Sequence, residues 1–127
     1  MSALVLDAGA FVAVERGDRA MVARLRVAER SGLELRANGA VLAQVWRDPS
    51  GRQAVLARLL RSVDVRPVDR ALGQDAGVIS GHAGRGDAVD ATVVAVAGAG
   101  DRIATSDPDD ISALVSASGR AVLVVPC

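Results

Sequence analysis

Asp7 closes the apolar run Ala3-Leu4-Val5-Leu6, Asp107 closes Arg102-Ile103-Ala104-Thr105-Ser106, and Asp90 opens the helix-like stretch Ala91 to Ala97. Hard divalent cations such as Mg2+ take oxygen ligands, whereas carboxylates gathered without an ion repel one another and lose charge through raised pKa values. A fold that brings Asp7, Asp90 and Asp107 to one sheet edge would therefore make a metal site. Asp87 lies one helical turn before Asp90 on the same face and is read equally as a fourth ligand or as a helix N-cap.

Little else in the chain could do catalysis. All fifteen basic residues are arginine, so a phosphate-loop lysine and a Schiff base are both excluded. His82 is the one histidine and falls in a helical pattern, and Cys127 at the terminus makes a poor nucleophile. What remains is carboxylates and the ion they hold, Mg2+ or alternatively Mn2+. The natural reaction is phosphodiester hydrolysis, with the metal activating water and neutralising the phosphate oxygens.

These residues need a scaffold that places strand ends side by side. The 127 residues, half of them hydrophobic, fit a single domain spanning 1–127 with a substantial core. Strands are expected at Ala3–Leu6, Leu33–Ala37, Val63–Val68, Arg102–Thr105 and Ala121–Val125, with the continuous aliphatic character of a parallel sheet covered on both faces. Helices are expected near Ala8–Arg16, Arg19–Arg30, Gly39–Arg47, Gln53–Leu60, Arg70–Ala83, Ala88–Ala99 and Asp109–Ala117, with Asn38, Asp69, Asp87 and Asp109 as N-caps. Gly32, Pro49, Gly84-Arg85-Gly86, Gly98 to Gly100 and Gly119 mark the joints. The expected class is α/β, in three α/β/α layers around a central parallel sheet, and such sheets bind ligands outside the carboxyl ends of their strands.

Charge and hydropathy bound the partners. Net charge is zero, which excludes a general basic footprint but allows a local basic groove beside an acidic centre. Phe11 and Trp46 are the only aromatics, so base stacking contributes little. Mean hydropathy is +0.29, yet no stretch reaches the roughly 18 uninterrupted apolar residues of a spanning helix, and the N-terminus lacks a basic-then-apolar signal pattern. A cytoplasmic protein with no membrane association is expected. The apolar surplus points to a surface covered by a partner, most simply in a two-fold homodimer whose groove lets Arg52, Arg58 and Arg61 approach substrate phosphates.

Val5-Leu6-Asp7-Ala8, Asp90-Ala91-Thr92-Val93-Val94-Ala95 and Ala104-Thr105-Ser106-Asp107, in that order within one short chain, resemble the PIN-domain ribonucleases. Size and element order match over essentially the whole sequence. Small bacterial members of that family are mostly VapC toxins, Mg2+-dependent endoribonucleases neutralised by a cognate VapB-type antitoxin. The resemblance implies a PIN-like fold, an RNA substrate, Asp7 and Asp90 as metal ligands, and Asp107 as a ligand or a water-orienting carboxylate.

One position departs from the family pattern. Where the family carries a glutamate on the helix after the second strand, this chain reads Val41-Leu42-Ala43-Gln44-Val45-Trp46. Gln44 offers an oxygen but no charge, which weakens cation binding; Asp87, Asp48 and Glu15 are the candidates to compensate. Gln44 also keeps open an alternative, a PIN domain that binds RNA or a protein without efficient cleavage. A phosphorylation-dependent receiver domain, another small parallel fold with clustered aspartates, fits poorly because the chain has no lysine.

Overall fold

A computed structural model describes residues 2–47 and 53–127. Its elements alternate as β1 (Ala3–Leu6), α1 (Ala8–Glu15), α2 (Arg19–Arg30), β2 (Glu34–Asn38), α3 (Gly39–Val45), α4 (Ala54–Leu60), β3 (Val63–Arg66), α5 (Arg70–Ala83), α6 (Ala88–Ala95), β4 (Arg102–Thr105), α7 (Pro108–Ser118) and β5 (Leu123–Pro126). All five strands pair in parallel in the order β3-β2-β1-β4-β5. The chain first winds outward from β1 to β3, then crosses back over to β4 and β5. Right-handed crossovers in opposite directions put their helices on opposite faces. The packing follows, with α1 touching α2, α3 and α4 while α5, α6 and α7 touch one another. The molecule is thus a three-layer α/β/α fold around a parallel sheet, consistent with a PIN-like architecture.

Burial marks β1 and its neighbour β4 as interior strands of the sheet. Ala3, Leu4, Val5 and Leu6 expose almost nothing, nor do Ile103, Ala104 and Thr105, as fits strands covered on both faces. Phe11, Met21, Leu56, Ile111 and Leu114 fill the two layers against them. Each such side chain contributes about 1.5–3 kcal/mol by leaving water.

Several element ends differ from the sequence expectation, each for a local reason. The third strand stops at Arg66, before Pro67, which has no N–H to donate to a ladder. The α6 helix ends at Ala95 rather than Ala99. There Asp101, buried at the start of β4, accepts hydrogen bonds from Gly98 N at 2.8 Å and Ala3 N at 2.8 Å, fastening a glycine turn to β1. Pairing of β5 with β4 begins at Leu123 opposite Arg102, later than expected, because Ala121 spends its carbonyl on Gly100 N. Asn38, Asp69 and Asp87 cap helices as expected, and Asp7 and Asp18 do so as well. The N-cap of α7 is Asp107 rather than Asp109, because Pro108 takes the first helical position, where its missing N–H costs nothing.

Candidate metal centre

The switch in strand order falls between β1 and β4, and the chain leaves both strands side by side. Asp7 N still pairs with Ala104 O at 3.1 Å, so Asp7 sits on the seam at the carboxyl end of β1. It is 5% exposed, and one carboxylate oxygen accepts from Ala10 N at 3.0 Å, capping α1. The other oxygen takes no hydrogen bond from the described residues.

A glycine lets the two strand ends approach. A Cβ on Gly9 would lie 2.1 Å from the Ser106 Oγ and 2.5 Å from its Cβ, so the first turn of α1 abuts the turn after β4 only because position 9 carries no side chain. That turn is held by Thr105 Oγ1, which accepts from Asp107 N at 2.9 Å. Asp107 lies outside the helical region before the following proline, and no side-chain cap hydrogen bond is made there. Its partner in α7 is instead Asp110, whose side chain it meets.

Asp90, Asp107 and Asp110 each offer an oxygen, and these atoms lie within 4.8 Å of one another. Among the described residues, this is the acidic group close enough to share a cation. Asp90 stands in the first turn of α6 and Asp110 in that of α7, so two helix N-termini converge on the group and their dipoles favour its negative charge. The cluster nonetheless strains its members. Partial burial pushes Asp90 up to about 6, helped by the charges of Asp87, Asp107, Asp7 and Asp110. Asp107 is raised by loss of water and by its hydrogen bond and charge contact with Asp110. Asp110 is lowered, first by the Arg85 guanidinium and then by Asp107.

The structure distributes the residues singled out in the sequence as follows. Asp90 and Asp107 come together. Asp7 lies outside the triad but close enough for its charge to act on Asp90. Asp87 is exposed and caps α6 through Asp90 N at 2.7 Å, acting on Asp90 by charge. Gln44 is exposed on α3, and Glu15 accepts a hydrogen bond from the side-chain amide of Gln53 at 2.7 Å. Asp48, Pro49 and Arg52 lie outside the described residues. The cluster member that the sequence analysis did not single out is Asp110; its spacing of three from Asp107, one helical turn on, was the available signal.

Beside the seam, Ala8, Gly9, Val12, Arg16, Ser106 and Cys127 contribute to a cleft of about 590 Å³ that does not include the triad. Burial raises the Cys127 thiol, as does the Asp7 charge, so it is no activated nucleophile. His82 is exposed in the last turn of α5. An acidic group that can hold a metal ion is therefore the chemistry this edge offers. Oxygen-only donors suit a hard divalent cation, and the Arg85 guanidinium already stands against Asp110 as a positive charge. No helix among the described residues is long and apolar enough to cross a membrane. Comparison with protein-family models gives no match for this chain, and neither does comparison with curated proteins.

Proposed function

We propose that this protein is a metal-dependent endoribonuclease, the toxin of a VapBC-type pair, with Asp90, Asp107 and Asp110 holding Mg2+ or Mn2+ and Asp7 completing the negative shell. The observation that carries this reading is the convergence of those carboxylates at the β1/β4 seam of a parallel fold with no lysine or activated thiol in reach. A bound divalent ion supplies positive charge to the phosphate oxygens and makes water a stronger acid. The chain's own part is to hold the cation where the strand ends meet. Asp7, with one oxygen fixed by Ala10 N, presents the other. Asp107, in the same acidic group, would hold the ion or orient a water beside it.

The VapB-type antitoxin and a homodimer belong to the same proposal. An apolar groove of about 440 Å³, lined by Leu42, Ala43, Trp46 and Leu60, supports a surface that a partner covers. The exposed Gln44 favours a second reading, a PIN domain that binds RNA or a protein and cleaves poorly. Purified protein incubated with total RNA in EDTA, Mg2+ or Mn2+ separates the two. Cleavage only with an added ion, lost in Asp90→Asn, supports the nuclease; binding without cleavage in either ion supports the second reading. Growth arrest on expression, relieved by co-expressing the gene immediately upstream, tests the toxin assignment.

A further inference from the structure

The arginine nearest the acidic group does not belong to any motif that marks the site. Arg85 lies in the short connection between α5 and α6, flanked by Gly84 and Gly86, both with positive φ (64° and 87°). Gly84 ends α5 in the left-handed conformation. Gly86 is pressed against α7, where a Cβ would come within 3.0 Å of Leu114 Cδ1. Gly86 thus seats the connection against α7, and the Arg85 side chain, more than half exposed, reaches across to α7. Its Nε donates to Asp110 Oδ1 at 3.2 Å, and its NH2 donates to the same oxygen. Among the described residues it is the arginine that makes an ion pair with a member of the triad. It also feels the charges of Asp109 and Asp107.

Both Arg85 donors fall on Asp110 Oδ1, so a divalent cation that takes this oxygen displaces the guanidinium. Resting on the metal reading above, we propose that Arg85 is the phosphate-positioning residue of this centre, parked on Asp110 when the site is free of metal and released when Asp110 turns to a cation. Once released, Arg85 stays beside the ion site because Gly86 is seated against Leu114. Its planar fork, in a chain without lysine, can hold a substrate phosphate by two hydrogen bonds. The exchange keeps the acidic group partly neutralised at rest, and it makes metal binding and phosphate binding cooperative.

The test compares wild type with Arg85→Gln and Arg85→Lys. Free Mn2+ is counted by electron paramagnetic resonance without RNA, and KM and kcat are then measured on a single-stranded RNA at saturating Mn2+. Removing a competing exposed ion pair should tighten Mn2+ binding by Arg85→Gln about two- to fivefold. The same variant should raise KM about tenfold or more, and Arg85→Lys should recover part of the KM loss because it keeps a charge but not the fork. Unchanged or weaker Mn2+ binding by Arg85→Gln, with wild type binding the ion, overturns the exchange and leaves the metal reading standing. No Mn2+ binding by any of the three proteins overturns both. Tighter Mn2+ binding with KM unaltered overturns the phosphate role.

Discussion

Asp90→Asn should stabilise the metal-free protein and abolish its response to Mg2+. The structure sets the size of the effect. Asp90 has its carboxyl pushed from 3.8 to about 6, chiefly by burial and then by the charges around it, which corresponds to about 3 kcal/mol at full strength. The group is only partly buried, and screening by water and salt reduces this to about 1.5 kcal/mol. Its charge in the first turn of α6 recovers about 0.5 kcal/mol from the helix dipole, which the amide forgoes. The net gain for Asp90→Asn is therefore about 1 kcal/mol at pH 7.5, or roughly 3–5 °C in thermal midpoint for a domain of this size. The pH dependence has a definite sign. Because the folded value lies above the unfolded one, the folded protein keeps a proton that the unfolded chain has released between about pH 4 and 6, and wild-type stability falls as pH rises through that window. The two proteins should converge near pH 4 and separate above pH 6. Mg2+ at ten times its Kd should add about 1.4 kcal/mol to wild type and much less to the variant, reversing their order. Calorimetric midpoints at pH 4 and 7.5, in EDTA and in Mg2+, decide the matter. A variant no more stable than wild type at pH 7.5 in EDTA refutes the electrostatic account, and equal gains in Mg2+ remove Asp90 from the ion site.

Asp7→Asn keeps an oxygen to cap α1 and should retain the fold while losing metal-dependent cleavage, whereas Asp7→Ala should in addition cost about 1 kcal/mol, read by urea denaturation. Gly9→Ala drives a methyl into Ser106 and should destabilise by about 1–3 kcal/mol while weakening Mn2+ binding, with Gly9→Ala/Ser106→Gly recovering both in the same denaturation and binding assays. Asp110→Asn should raise the Mg2+ concentration for half-maximal cleavage about tenfold, because it removes one of three clustered ligands, while Gln44→Glu should leave it within about twofold. A marked drop in that half-saturation point for Gln44→Glu would place position 44 within the ion's reach.

The layering and most of the positions that gather at the site were legible in the chain because they are local. Four- and five-residue aliphatic runs ending in Asp7 or just short of Asp107 read as buried parallel strands, and Asn38, Asp69 and Asp87 announced helix starts through their side-chain chemistry. A capping side chain bonds a backbone N–H two or three residues away, so its signal needs no knowledge of the fold. Joining Asp7 to Asp107 as neighbours required only the rule that parallel sheets gather their sites at carboxyl strand ends.

The partners of those aspartates came from contacts between residues far apart in sequence. Asp109 and Asp110 are adjacent acids at one helix start; only the placement of α6 beside α7 puts Asp110 against Asp90 and leaves Asp109 outside the triad. Gly84-Arg85-Gly86 read as a joint, and the charge it delivers to Asp110 depends on Gly86 seating against Leu114, 28 residues away in the chain. Gly9 offered no signal at all, since its role is the volume occupied by Ser106. Sequence determined which residues could do chemistry and which strand ends would carry them, because strand burial and helix capping are short-range. Tertiary structure alone decided which carboxylates share a cation and which arginine opposes them, because charge interactions act through space and follow the packing of helices from separate parts of the chain.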